Sequence, residues 1–225
     1  MNDMIDFDAF DAEDFADNPE PRCPCVLVLD CSYSMTSNGA IDELNRGIET
    51  FKSAIEGNDL AAKRVEVAIV SFGANVDISQ EFTTVDGFSP SPLVANGATP
   101  MGAALEQAVD LVAQRRQTYR SHAIKSYKPW IFLITDGAPT DDVTSAIARI
   151  SDGEDNRAFT FFAVGVDQAD MNVLSRISTK RAPLKLRGIA FEELFQWLSD
   201  SLTQVSSDDP GTDSVALPQV SWAAT

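Results

Sequence analysis

Asp30, Ser32 and Ser34 stand at alternate positions directly after the apolar run Cys25-Val26-Leu27-Val28-Leu29. A buried strand that ends this way carries one carboxylate and two hydroxyls off its tip. Side chains alternate along a strand, and a chain turning off the strand end can aim i, i+2 and i+4 at one point. Hard oxygen donors of this kind suit Mg²⁺, Mn²⁺ or Ca²⁺ rather than zinc or iron. Two further segments offer related chemistry. Thr99 sits in Asn96-Gly97-Ala98-Thr99-Pro100, just ahead of a helical pattern. Asp136 follows the apolar run Trp130–Thr135, with Gly137 beside it to let the backbone turn sharply.

Three loops can converge only if the elements between them bring them to one edge. From Cys23 onward, strand and helix patterns alternate. A strand is expected over about 25–30, then a helix over about 39–56 with Ile41, Leu44, Ile48, Phe51 and Ile55 on one stripe. Arg64–Phe72 reads as an increasingly buried strand, and 76–85 as an exposed edge strand joined to it by a tight turn at Gly73-Ala74-Asn75. A second helix is predicted over about 100–117, with Pro100 at its first position and Thr99 as N-cap. Strands at 130–135 and 159–166 follow, separated by a short helix to about 152 that Asp141 or Asp142 would cap. Short and long helices from Asp170 and over about 190–205 complete the pattern. Unalternating apolar strands between helices predict an α/β fold in three layers: a central, mostly parallel sheet with one antiparallel edge strand and helices on both faces. Ligands bind such sheets outside the carboxyl ends of the strands, near the switch in strand order. That is where Asp30, Thr99 and Asp136 fall.

The totals set the class. The chain has 225 residues, enough for one medium domain of about 23–206 with tails at 1–22 and 207–225. No apolar run approaches the ~18–20 residues of a membrane span. The N-terminus lacks a basic leader, and three cysteines without framework spacing fit a reducing cytoplasm rather than a disulfide scaffold. A net charge of −17 disfavours nucleic acid and anionic membranes as partners. Residues 1–20 alone carry eight acids and no lysine or arginine, interleaved with Ile5, Phe7, Phe10 and Phe15. This segment reads either as a solvated tail or as a docking segment whose phenylalanines anchor in a groove.

Asp30, Ser32, Ser34, Thr99 and Asp136 together form an Asp-x-Ser-x-Ser…Thr…Asp set that resembles the metal-ion-dependent adhesion site (MIDAS) of von Willebrand factor A (vWA) domains. Within that family, Gly97-Ala98-Thr99-Pro100-Met101-Gly102-Ala103-Ala104-Leu105 and Phe132–Asp142 resemble the bacterial tellurium-resistance (TerY-like) branch. The likeness covers about residues 24–205. It implies a Rossmann-like vWA fold in which hydroxyls matching Ser32, Ser34 and Thr99 bind the metal directly. Carboxylates matching Asp30 and Asp136 act directly or through waters. It also implies a sixth position seeking an anion, usually a partner's Asp or Glu, and so protein recognition rather than turnover. The role so implied is a cytoplasmic scaffold in a tellurium-resistance, stress-response or phage-defence system, with a kinase-like or phosphatase-like protein as partner. A regulatory or chaperone-like subunit of a metal-handling enzyme complex is the alternative. Cys31 and Tyr33 depart from the commonest family form, and Tyr33, Pro100 and Met101 are expected to touch the partner.

Other chemistries are poorly supplied. An aspartyl-nucleophile phosphatase needs an acid where Ser32 stands, and phosphate-cradling glycine loops and a Gly-x-Ser-x-Gly elbow are missing. His122 is the one histidine and lies in a polar stretch. Cys23 and Cys25 lack fellow ligands for zinc and read, with Cys31, as small buried hydrophobes. The oxygen cluster itself has a structural reading: Asp, Ser and Thr also satisfy backbone groups at strand ends and helix starts. Arg115, Arg116, Arg120, Lys125 and Lys128 form a basic stretch, read as a solvated helix end or as a receiver for the acidic tail. The same tail, docking on its own domain, could instead supply the missing carboxylate to the metal in cis.

Overall fold

Strands form where the sequence runs apolar on both faces. A computed structural model describes Phe15, residues 18–167 and 169–210, Val220 and Ala223. Every residue of β1 (Cys23–Asp30) and β4 (Trp130–Thr135) is buried, and β2 (Val65–Phe72) and β5 (Thr160–Gly165) are nearly so. β3 (Val76–Thr84) is half-exposed along its length, as an edge requires. With the two-residue β6 (Leu184–Lys185), these make one six-stranded sheet in the order β3-β2-β1-β4-β5-β6. Only the β2–β3 pair is antiparallel. This is the three-layer α/β architecture expected, with helices on both faces.

The alternation of side chains divides the core. Cys25, Leu27, Leu29, Phe132 and Ile134 point to the face covered by α1 (Ala40–Glu56), α2 (Asp59–Arg64) and α6 (Phe191–Ser207). Val26, Val28, Ile131 and Leu133 point to the other, under α3 (Met101–Ser121), α4 (Thr144–Asp155) and α5 (Met171–Ile177). The first layer is tightly crossed: a β-carbon on Gly47 of α1 would lie 2.4 Å from the Phe195 ring of α6. Glycine there lets the two helices approach.

Several details differ from expectation. α3 runs four residues past 117, and Pro100, not Thr99, occupies its cap position. The helix start is satisfied from outside: Asp141, in the loop after β4, accepts from the N–H groups of Gly102 and Ala103, each at 2.9 Å. Asp142 serves α4 instead, accepting from the Thr144 N–H. α2 and β6 are too short to leave a periodic pattern; α2 is started by Asn58, whose side chain accepts from Leu60 and Ala61 N–H.

The reading of 1–22 as a tail also needs correction at its inner end. Arg22 is 1 % exposed, its Nε 2.9 Å from Glu66 Oε1, and its guanidinium donates to the Asn18 carbonyl at 2.6 Å. Phe15 is buried as well. The order expected of 1–14 lies outside the described residues, as does most of 211–225, where Ala223 bridges to Leu186.

Candidate functional site

β1 and β4 are neighbours at the middle of the sheet, and their following helices leave to opposite faces. In open α/β sheets a ligand crevice forms between two such departing chains, at the carboxyl edge. Asp30, the last residue of β1, is fully buried beneath it. Its Oδ1 accepts from the Ser32 N–H at 2.8 Å, and its Oδ2 accepts from the Thr135 hydroxyl. Ser32 Oγ lies 2.9 Å from Ser34 Oγ, and the Ser34 hydroxyl donates to Asp136 Oδ1 at 2.7 Å. Thr99 Oγ1 is 3.3 Å and Asp30 Oδ2 3.8 Å from where a β-carbon on Gly137 would stand. All five sequence-selected residues therefore meet, in a gradient from buried Asp30, Ser32 and Thr99 through half-buried Asp136 to exposed Ser34.

Short backbone links hold the three loops in place. Cys31 N–H donates to the Phe72 carbonyl (2.6 Å), Asn96 N–H to the Cys31 carbonyl (2.7 Å) and Tyr33 N–H to the Gly97 carbonyl (3.1 Å). Gly97 has φ +74°, and a β-carbon there would sit 2.3 Å from Ala74 N. Only glycine fits both demands. On the other side, Thr140 brackets Thr99: its hydroxyl accepts from Thr99 N–H (3.1 Å) and its own N–H donates to the Thr99 carbonyl (2.9 Å). Gly102 permits the same approach, since a β-carbon would meet the Asp142 carbonyl at 2.3 Å. Thr135, Thr140, Asp141 and Gly102 were not singled out in sequence as site residues. Thr135, a hydroxyl closing a wholly apolar run, was the one local signal available.

The electrostatics favour a cation. Burial pushes the Asp30 carboxyl above its ordinary range; hydrogen bonds from Ser32 and Thr135 oppose this, and the charge on Asp136 adds to it. Asp136 is pushed up by burial too, opposed by the Ser34 hydroxyl and reinforced by Asp167. No cationic side chain among those influences offsets the two carboxyls. The donors are two carboxylates and three hydroxyls, and no cluster of three or more His, Cys, Asp or Glu side chains is found among the described residues. Such a set fits a hard dication and does not fit zinc.

Of the expected partner contacts, Tyr33 is 71 % exposed and Pro100 half-buried. Met101 is corrected: it is 0 % exposed, because the first turn of α3 points it into the core with Ala104 and Leu105. Cys23, Cys25 and Cys31 are free and buried. His122 Nδ1 lies 2.9 Å from the Thr118 carbonyl at the far end of α3.

Comparison with known proteins agrees with this fold. Mouse matrilin-3 is 23 % identical over 159 residues, 68 % of this chain and 32 % of that protein, so the chain spans about a third of its relative. A von Willebrand factor type A protein from Catenulispora acidiphila superposes with a TM-score of 0.59 at 19 % identity, over 82 % of this chain and 43 % of the other. The manganese-loaded Plasmodium vivax TRAP protein gives 0.54 at 17 % identity, over 78 % and 73 %. The model of the von Willebrand factor type A domain matches residues 25–195, most of the chain, and the protein belongs to that family.

Proposed function

We propose that this domain is a divalent-cation-dependent protein-binding module with a MIDAS-type site, not an enzyme. Asp30, Ser32, Ser34, Thr99 and Asp136 would hold Mg²⁺ or Mn²⁺, with Ca²⁺ also suited to oxygen donors. The observation that carries this reading is the meeting of five oxygen-bearing side chains from three separate loops at one edge of the sheet, at spacings a hard ion accepts. Adjacent oxygens around an octahedral ion with bonds of about 2.1 Å lie about 3 Å apart. The Ser32–Ser34 and Ser34–Asp136 oxygens are separated by 2.9 and 2.7 Å. Asp30 lies below them, held by Ser32 N–H and Thr135 so that it can support the shell without moving. The manganese carried by TRAP, a protein of the same fold, supports a divalent ion here.

The bound ion would supply one Lewis-acidic position facing solvent, its charge only partly compensated by hydroxyl donors. A carboxylate on a protein partner is the ligand that suits it. Ser34 and Asp136, the most exposed of the set, form the rim a partner's Asp or Glu would meet, and Tyr33 stands beside them. Ser32, where an aspartyl phosphatase would need its second acid, removes the commonest hydrolytic use of a strand-end aspartate.

The resemblance of Gly97–Leu105 and Phe132–Asp142 to the tellurium-resistance branch supports a cytoplasmic scaffold role in such a system or in a related stress or phage-defence system. A kinase-like or phosphatase-like protein is the partner this predicts. Capture from native lysate tests the reading. Wild type should retain a partner in Mg²⁺ and lose it in chelator, and Asp136→Ala should not retain it; capture indifferent to both would overturn it.

A further inference from the structure

The end of the domain opposite the candidate metal site gathers arginines and aromatic rings around Phe15. β1 separates the two, seven residue steps or about 23 Å from Asp30 back to Cys23. Here the ring of Phe15, 6 % exposed, is held among cations and aromatics. The guanidiniums of Arg22 and Arg115 lie 5.3 and 5.1 Å from its centroid, and the Tyr119 and His122 rings 6.0 and 5.3 Å. Arg115, Tyr119 and His122 are spaced i, i+4 and i+7, so one stripe at the end of α3 forms the seat. A phenylalanine between two guanidiniums is attracted through its negative face as well as by burial.

The adjacent stripe of α3 carries Arg116 and Arg120, half-buried and exposed respectively. Neither guanidinium has a hydrogen-bond or ion-pair partner among the described residues. The two sit i, i+4 on one helix, a destabilising spacing for like charges; burial and the Arg120 charge together hold Arg116 below its ordinary range. This is a cationic pair on a protein of net charge −17. The chain immediately before Phe15 has the complementary character. Residues 1–14 carry six acids and no lysine or arginine.

We propose that the Arg116–Arg120 face of α3 is the docking surface for this chain's own residues 1–14, with Phe15 as the anchor that delivers them there. The anchor makes the encounter intramolecular, so weak exposed ion pairs suffice. The consequence is a division of labour between the poles. The acids of the segment neutralise α3, and the metal site is left open to an acidic residue from another protein. Docking at the metal site is the competing destination, because fourteen residues at about 3.3 Å each can reach either pole.

Cleavage of the full-length protein by a Glu/Asp-specific protease separates the two. Rates within residues 1–17 are read by mass spectrometry and normalised to a free peptide of the same sequence. At low salt the wild type should be protected. Arg116→Glu/Arg120→Glu should be cut about tenfold faster, and 0.5 M NaCl should have the same effect on wild type without any substitution. Adding Asp11→Lys/Asp14→Lys to the arginine variant should restore protection. Equal low-salt rates for wild type and Arg116→Glu/Arg120→Glu would overturn the proposal. So would protection lost in Ser32→Ala/Ser34→Ala or on adding Mn²⁺, which would place the segment at the metal site.

Discussion

Asp30 explains why a carboxylate can be kept fully buried at a strand end. Two hydrogen bonds, from Ser32 N–H and the Thr135 hydroxyl, fix both of its oxygens. Groups that orient a ligand without touching the metal commonly change affinity by about 10–100-fold. Thr135→Val keeps the shape and removes the donor. It should weaken Mn²⁺ binding by about that factor and lower stability by about 1–3 kcal/mol; unchanged affinity in a titration would show that Thr135 serves the fold alone. The cysteines make a separate prediction. Burial pushes the Cys23 thiol from 9.0 to about 12, with Glu66 adding to the shift. A group whose value rises on folding contributes stability that is fully present below its unfolded value and lost as pH climbs through the folded one. The urea midpoint should therefore fall between about pH 9 and pH 12, and native protein at pH 8 should resist a thiol reagent that reacts once urea unfolds it. Rapid labelling of native protein would contradict this.

At the scale of elements, the site depends on loops held from outside themselves. Asp141 caps α3 across the crevice, and Thr140 clasps Thr99 just ahead of that helix. Asp141→Ala should cost about 1 kcal/mol in a denaturant melt, and should weaken cation binding because Thr99 loses its fixed neighbour. Asp142→Ala, which removes only the two bonds from the Thr144 N–H and hydroxyl, should spare the affinity. Equal effects of the two substitutions would argue against the cross-loop cap. This same feature marks the limit of what the sequence makes legible. β1, β4 and the two carboxylates were readable because apolar runs end at charged residues, a local pattern. Asp141 was readable only as a cap for the helix that follows it, since its true partners lie 38 and 39 residues away. Met101 looked accessible beside Thr99 and Pro100, but helical geometry turns it inward. The six residues of α2 and two of β6 carry too little periodicity to register.

Across the whole molecule, chemistry is arranged by pole. The carboxyl edge of the sheet gathers oxygen donors, and the opposite end gathers arginines around Phe15. Strand order accounts for the first arrangement: β1 and β4 adjoin, so their loops converge whatever occupies the rest of the sheet. Phe15 accounts for the second, since its buried ring has the guanidiniums of Arg22 and Arg115 over it. Calorimetric titration of the full-length protein with Mn²⁺ tests the central claim most directly. One ion per chain is predicted for wild type, with binding abolished in Asp136→Ala and in Ser32→Ala/Ser34→Ala while the far-ultraviolet dichroism stays native. Absence of binding to wild type, or equal binding by the variants, would contradict the assignment of these oxygens as a metal site.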